Sequence, residues 1–170
     1  MSTAELTLEL PDEQATEALG AHLGQVILET KKSFEISGLN NEPGFSIYLQ
    51  GDLGAGKTAL TRALLRAAGV SGRIKSPSYA LLESYKVSSL YFYHLDFYRF
   101  SDSSEWQDAG FRDLFRPGSL VLIEWPEKAD GQLPIPDLLI HLSYSGDART
   151  ARIKAETQRG ASWLTTLSKR

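Results

Sequence analysis

Residues 51–58 read Gly51-Asp52-Leu53-Gly54-Ala55-Gly56-Lys57-Thr58. The pattern is G-x-x-x-x-G-K-T. An apolar strand, Phe45-Ser-Ile-Tyr-Leu-Gln50, precedes it, and the helix-forming stretch 57–68 follows. A chance match in a chain of this length is on the order of one in a hundred, and the strand–loop–helix setting lowers that further. Glycines let such a loop fold into a nest whose N–H groups converge on phosphate oxygens, and the next helix aims its positive end at the same anion. Leu53, Gly54, Ala55, Gly56, Lys57, Thr58 and Ala59 are therefore the expected phosphate cradle. Lys57 is placed to reach the outer phosphates, and the Thr58 hydroxyl to ligate Mg2+. The competing reading is a glycine-rich turn that only caps a helix.

The rest of the chain alternates strands and helices. A short strand over 6–10 leads to Pro11 and the acidic pair Asp12-Glu13, which suit a helix start. Ala15, Ala18, Leu19, Leu23, Val26 and Ile27 form an apolar stripe at helical spacing, ending near Lys31 or Lys32. Segment 37–44 reads as a loop. Strands are expected over 79–87 and 90–98, joined by a Ser-Ser turn, with short helical pieces over 101–118. The continuously apolar strand 119–124 suits burial on both faces. Strands over 137–144 and 149–156 and a helix over 160–168 close the chain. The fold class expected is α/β: a single P-loop NTPase domain over 1–170, with a mixed sheet flanked by helices.

Two carboxylates stand at strand ends. Asp96 lies in Leu90-Tyr-Phe-Tyr-His94-Leu-Asp96-Phe-Tyr98-Arg99, where period-two alternation puts His94, Asp96 and Tyr98 on one face. Glu124 follows Leu120-Val-Leu-Ile123, a Walker-B pattern with Glu in place of Asp. Both are candidate metal and catalytic residues, and His94 is a further catalytic candidate beside them. The structural alternatives are an ion pair of Asp96 with Arg99 or a strand-end cap, and a hydrogen-bonded core histidine. Trp125 is either a core aromatic or a partner contact. Glu127-Lys128-Ala129-Asp130 holds only the Lys-x-Asp part of a guanine-reading motif, which favours ATP.

Composition narrows the function. With 170 residues, no cysteine, and 18 basic against 21 acidic side chains, a disulfide scaffold, thiolate metal sites and cysteine nucleophiles are excluded. A net charge of −3 argues against gripping nucleic acid unaided. The N-terminus lacks a signal-peptide pattern, and no purely apolar run exceeds four residues, so a cytoplasmic protein without a membrane span is expected.

Four stretches occur in order: 51–58, Ser76-Pro77-Ser78-Tyr79, His94-Leu-Asp96-Phe-Tyr98-Arg99 and Glu124-Trp125-Pro-Glu127. Together they resemble the bacterial TsaE (YjeE) family, with its GDLGAGKT, SPTF, HxDxYR and EWxE motifs. The likeness runs from the first helix, with Thr16 and Gly20 in their usual places, to the strand carrying Arg149. The resemblance implies an ATPase of tRNA threonylcarbamoyladenosine biosynthesis. Thr58 and Glu124 would hold Mg2+, and Asp96 would serve hydrolysis. Ser76 to Tyr79 would form a switch loop, and Trp125 would respond to nucleotide. Pro11 and Arg149 would approach the adenine. Ser78 stands where the family has Thr and keeps the hydroxyl for phosphate or metal contact, and Tyr79 stands where the family has Phe. Implied partners are a carbamoyl-transferase of the ASKHA fold and its inactive paralogue, with tRNA met only through them. A small-molecule kinase and a nucleotide-gated binding module without productive hydrolysis are the alternatives.

Overall fold

The structure is a computed structural model and describes residues 4–39 and 41–169. The first three residues, the last one and position 40 of the expected loop lie outside the described residues.

Strand β1 (Glu5–Leu10) leads into helix α1 (Glu13–Ser37). Asp12 caps that helix by accepting the Ala15 N–H. The helix runs past Lys32, because residues 33–37 contain no breaker and the stop is Gly38, a left-handed C-cap. Strand β2 (Phe45–Gln50), helix α2 (Lys57–Ala67) and strand β5 (Ser119–Glu124) stand where the pattern puts them. Strands β3 (Leu82–Val87) and β4 (Leu90–Asp96) are shorter than the pattern suggests. Leu81 takes a φ of 67°, which no strand accommodates. Asp96 ends β4 by turning its carboxylate onto the Tyr98 N–H at 2.9 Å. Tyr98 is thus outside the strand, and the single face expected for His94, Asp96 and Tyr98 holds only for the first two. Between β4 and β5 lie helix α3 (Glu105–Asp108) and a 3-10 turn (Phe111–Leu114). Strands β6 (Leu138–Ser145) and β7 (Ala148–Ala155) form a hairpin. Helix α4 (Gln158–Ser168) starts two residues early, because Thr157 caps it.

The seven strands make one sheet in the order β1-β7-β6-β2-β5-β4-β3. The four central strands are parallel, and each edge is antiparallel. One face of the sheet packs on α1, α2 and α4 through Ile47, Leu49, Leu60, Leu64, Leu122 and Trp163. The other is covered by segments 97–115 and 125–133, with Trp106 and Phe97 fully buried against Tyr93, Leu95 and Ile123. Every residue of β5 is buried, as its unbroken apolar run requires.

Helices α1 and α2 cross closely at Gly20. A Cβ there would lie 2.3 Å from the Leu60 carbonyl oxygen, so only glycine fits. Leu19, Leu23, Val26 and Ile27 are buried as their spacing predicts, whereas Ala18 is exposed. Among the described residues no helix is long and apolar enough to cross a membrane.

Candidate nucleotide site

The parallel strands β2, β4 and β5 all end at one edge of the sheet, where their connections open a cleft of about 730 Å3. Its floor is the loop from Leu53 to Ala59 with Asp96, Glu124 and Trp125. One wall is Leu10, Asp12, Glu13 and Thr16, and Asp147 and Arg149 of the β6–β7 turn also line it. Across from these stand Ser78, Tyr79, Tyr98 and Arg99. Most of the residues expected from sequence meet here. Pro11, Ser76, Pro77 and His94 do not line the cleft, although each adjoins a residue that does or lies behind one.

The loop is shaped as a phosphate nest requires. Gly51 adopts φ 142°, and a Cβ on it would lie 2.4 Å from the Leu142 carbonyl oxygen. Two side chains from the β6–β7 hairpin hold the loop's outer rim. The Tyr144 hydroxyl donates to the Leu53 carbonyl at 2.6 Å, and Arg149 lies 4.1 Å over the Tyr144 ring. Arg149 also donates to the Ala148 carbonyl at 2.9 Å and reaches the Gly54 carbonyl at 3.4 Å. Sequence reading missed Tyr144, whose only signal is its place two residues before the hairpin turn.

Lys57 is 5% exposed. Its ammonium donates to the carbonyls of Gly51 and, at 3.1 Å, of Asp52, and sits 4.2 Å from the centre of the Trp125 ring. Burial pushes its pKa below the ordinary lysine value, against the pull of Glu124, Asp96, Glu127 and Asp52. Burial therefore disfavours the charged form even with four carboxylates nearby. Trp125 adopts a left-handed backbone at φ 60°, which brings its indole over Lys57, and Tyr98 packs on its ring at 5.0 Å.

The two carboxylates are neighbours because β4 and β5 pair Asp96 with Glu124 in parallel register. The Thr58 hydroxyl is 3.1 Å from both oxygens of Glu124. His94 Nε2 lies 2.7 Å from Glu124 Oε2, and the ring is 1% exposed, behind the carboxylate. Burial raises the Asp96 pKa, Glu124 adds to the rise, and the Tyr98 N–H opposes it. Arg99 makes no ion pair with Asp96. It donates to the Ser78 carbonyl at 3.1 Å and lies 4.6 Å over the Tyr79 ring, pinning the 76–79 loop. The Ser76 and Ser78 hydroxyls bond each other at 2.7 Å, and Tyr79 is 85% exposed.

A Mg2+ ion suits this donor set. Thr58 and Glu124 offer only oxygen, and Mg2+ takes one or two protein oxygens and fills its shell with phosphate and water. Among the described residues no three His, Asp or Glu converge into a self-sufficient metal cage.

The raised Asp96 pKa makes a stability prediction. A carboxyl raised in the folded state stabilises fully below its unfolded pKa, and that contribution is lost as pH rises through the folded value. Asp96→Asn keeps the oxygen that accepts the Tyr98 N–H. It is expected to leave the Tm of the nucleotide-free protein unchanged near about pH 4 and to raise it near about pH 8. Thermal unfolding across that range checks this; a Tm lowered at the alkaline end would refute it.

A family described as "Threonylcarbamoyl adenosine biosynthesis protein TsaE" matches residues 10–153. Two relatives, each named "tRNA threonylcarbamoyladenosine biosynthesis protein TsaE", align well. The one from Haemophilus influenzae is 39% identical over 163 residues, covering 96% of this chain and 98% of its own. The one from Bacillus subtilis is 34% identical over 119 residues, covering 70% and 74%. The crystal structure of Bacillus subtilis YdiB superposes with a TM-score of 0.75 at 26% identity, covering 99% of this chain and 97% of that one.

Proposed function

Since the chain belongs to the TsaE family of threonylcarbamoyladenosine biosynthesis proteins, we propose that it is a Mg2+-dependent ATPase. In this reading it acts in the cytoplasm, and its hydrolysis assembles or resets a complex of a carbamoyl-transferase and that enzyme's inactive paralogue. The observation that carries the ATPase reading is the Thr58–Glu124 pair, with Asp96 beside it and Lys57 across the same floor. The loop amides and Lys57 bind the phosphates and stabilise charge that grows on the terminal one. Thr58 and Glu124 hold Mg2+, which when bound neutralises phosphate charge and polarises the phosphoryl oxygens. Asp96 accepts a hydrogen bond from the attacking water and aligns it with the phosphorus. His94 steadies Glu124 from behind. The adenine lies toward Pro11, Asp12 and Arg149.

The two arginines that line the cleft already donate to backbone carbonyls, Arg99 to Ser78 on the 76–79 loop and Arg149 to Ala148 and Gly54 at the loop rim. That supports completion of the site by a partner. Trp125, Ser76, Pro77 and Tyr79 are the contacts proposed for it, around an exposed aromatic at the cleft mouth. The tRNA is met through the partners, in keeping with the net charge of −3.

The test is phosphate release from ATP by this protein alone and with the two partner proteins. Slow release alone and faster release in the complex is the expected result. Equal rates overturn completion by a partner, and no phosphate in either case overturns the ATPase. Transfer to an added nucleoside or sugar instead of water would favour a kinase.

A further inference from the structure

Three buried side-chain polar atoms among the described residues have no hydrogen-bond partner: Thr61 Oγ1, His94 Nδ1 and Trp106 Nε1. The first two lie beneath the nucleotide site. Thr61 is 0% exposed and stands three residues after Thr58 on α2. Thr58, Thr61 and Leu65 fall on one stripe of the helix, and Thr58 shows where that stripe points by bonding Glu124 on β5. His94 shares a strand face with Leu90 and Phe92, which belong to the core against α1 and α2. Thr61 and His94 therefore look into the same space between helix and sheet.

Both also lie below the level of the Thr58–Glu124 pair. Helix α2 returns from the strand ends toward the far edge, so Thr61 lies about 4.5 Å below Thr58 along the helix. His94 lies about 6.6 Å below Asp96 along β4. The Thr58–Glu124 pair thus has a second polar layer under it. An unpaired buried hydroxyl and an unpaired ring nitrogen are costly apart, and a shared water satisfies both.

We propose that Thr61 is a positioning residue for the metal site. Its hydroxyl donates through a buried water to His94 Nδ1. That keeps Nδ1 unprotonated and the ring proton on Nε2, which donates to Glu124 Oε2 and holds this carboxylate toward Thr58. The metal part of the inference rests on the role proposed above for Glu124; the ring tautomer does not.

The experiment uses the full chain. Imidazole nitrogen NMR of the nucleotide-free, metal-free protein, with His94 assigned by its loss in His94→Gln, is expected to show the Nε2–H tautomer. An Nδ1–H tautomer or a doubly protonated ring overturns the proposal without any Thr61 variant. Thr61→Val is expected to shift the Nδ1 resonance and Thr61→Ser to restore it. The Mg2+ concentration needed for half-maximal binding of a fluorescent ATP analogue is expected to rise about tenfold in Thr61→Val and recover in Thr61→Ser. Binding in excess chelator is expected to stay unchanged in both. An unaltered Nδ1 resonance with an unaltered Mg2+ requirement in Thr61→Val refutes the inference. If the wild-type protein binds no nucleotide while the NMR results hold, the proposed function fails and the Thr61–His94 layer stands.

Discussion

Lys57→Met is expected to cut phosphate release from ATP by roughly a hundred- to a thousand-fold, the range for losing one preorganised charge at a transition state. The geometry makes the effect large. The ammonium donates to two loop carbonyls and lies over the Trp125 ring. Burial weakens its hold on the proton, and a bound phosphate would add negative charge that favours the charged form. Methionine keeps the unbranched stem against Trp125 and removes the charge. The same shift gives the sign for folding. A lysine with a lowered pKa stabilises above its unfolded value and loses that contribution as pH falls through the folded one, so at neutral pH this ammonium opposes folding. The variant's Tm is therefore expected to equal or exceed that of the wild type. Phosphate release and thermal unfolding, measured on the same sample, check both halves. Retained hydrolysis would remove Lys57 from the site, and a fall in Tm of more than about 4 °C would mean that the loss reflects unfolding.

The second large effect lies at the opposite end of the sheet. Asp137→Ala is expected to cost about 3–5 kcal/mol, because it strips the partner from a largely buried guanidinium and leaves a strand N–H unpaired. Asp137 is 3% exposed and accepts from four donors. The Ser46 N–H lies at 3.1 Å, the Thr157 hydroxyl at 2.6 Å, and Arg159 Nε and Nη2 at 3.2 and 2.9 Å. Arg159 also donates to the carbonyls of Pro43 and Gly44 at 2.9 and 2.8 Å and lies 4.6 Å over the Phe45 ring. The cluster ties α4 to the starts of β2 and β6. At 2–4 °C per kcal/mol for a domain of this size, Tm is expected to fall by about ten degrees. Nucleotide affinity measured well below that Tm is expected to be unchanged, since none of these residues lines the cleft. A shift of only a degree or two would mean that the cluster is solvent-relaxed and not a staple.

These two sites differ in how far the sequence announces them. The phosphate loop is contiguous: eight residues carry the backbone geometry, the charge and the hydroxyl, so local chemistry suffices to recognise it. Strands β2 and β5 are legible for a related reason, since unbroken apolar runs bounded by Gly or polar residues have few other solutions. The ends of elements were less legible. Residues 33–37 hold no helix breaker, and the end of β4 depends on Asp96 turning onto the Tyr98 N–H, which strand alternation does not encode.

The chain by itself determined a mixed α/β P-loop fold and marked Leu53 to Ala59 as the expected cradle, with the carboxylates Asp96 and Glu124 as candidates beside it. Tertiary structure alone decided which groups meet. The register of β4 on β5 sets Asp96 beside Glu124, the return of α2 brings Thr58 to the same carboxylate, and the hairpin delivers Tyr144 and Arg149 to the loop rim. It also buried His94 behind Glu124 and gave Asp137 to Arg159. The reason is physical: a propensity or a loop nest is specified within a few residues, whereas a side-chain contact across 22 to 95 positions exists only once the sheet has fixed its register and the helices have packed against it.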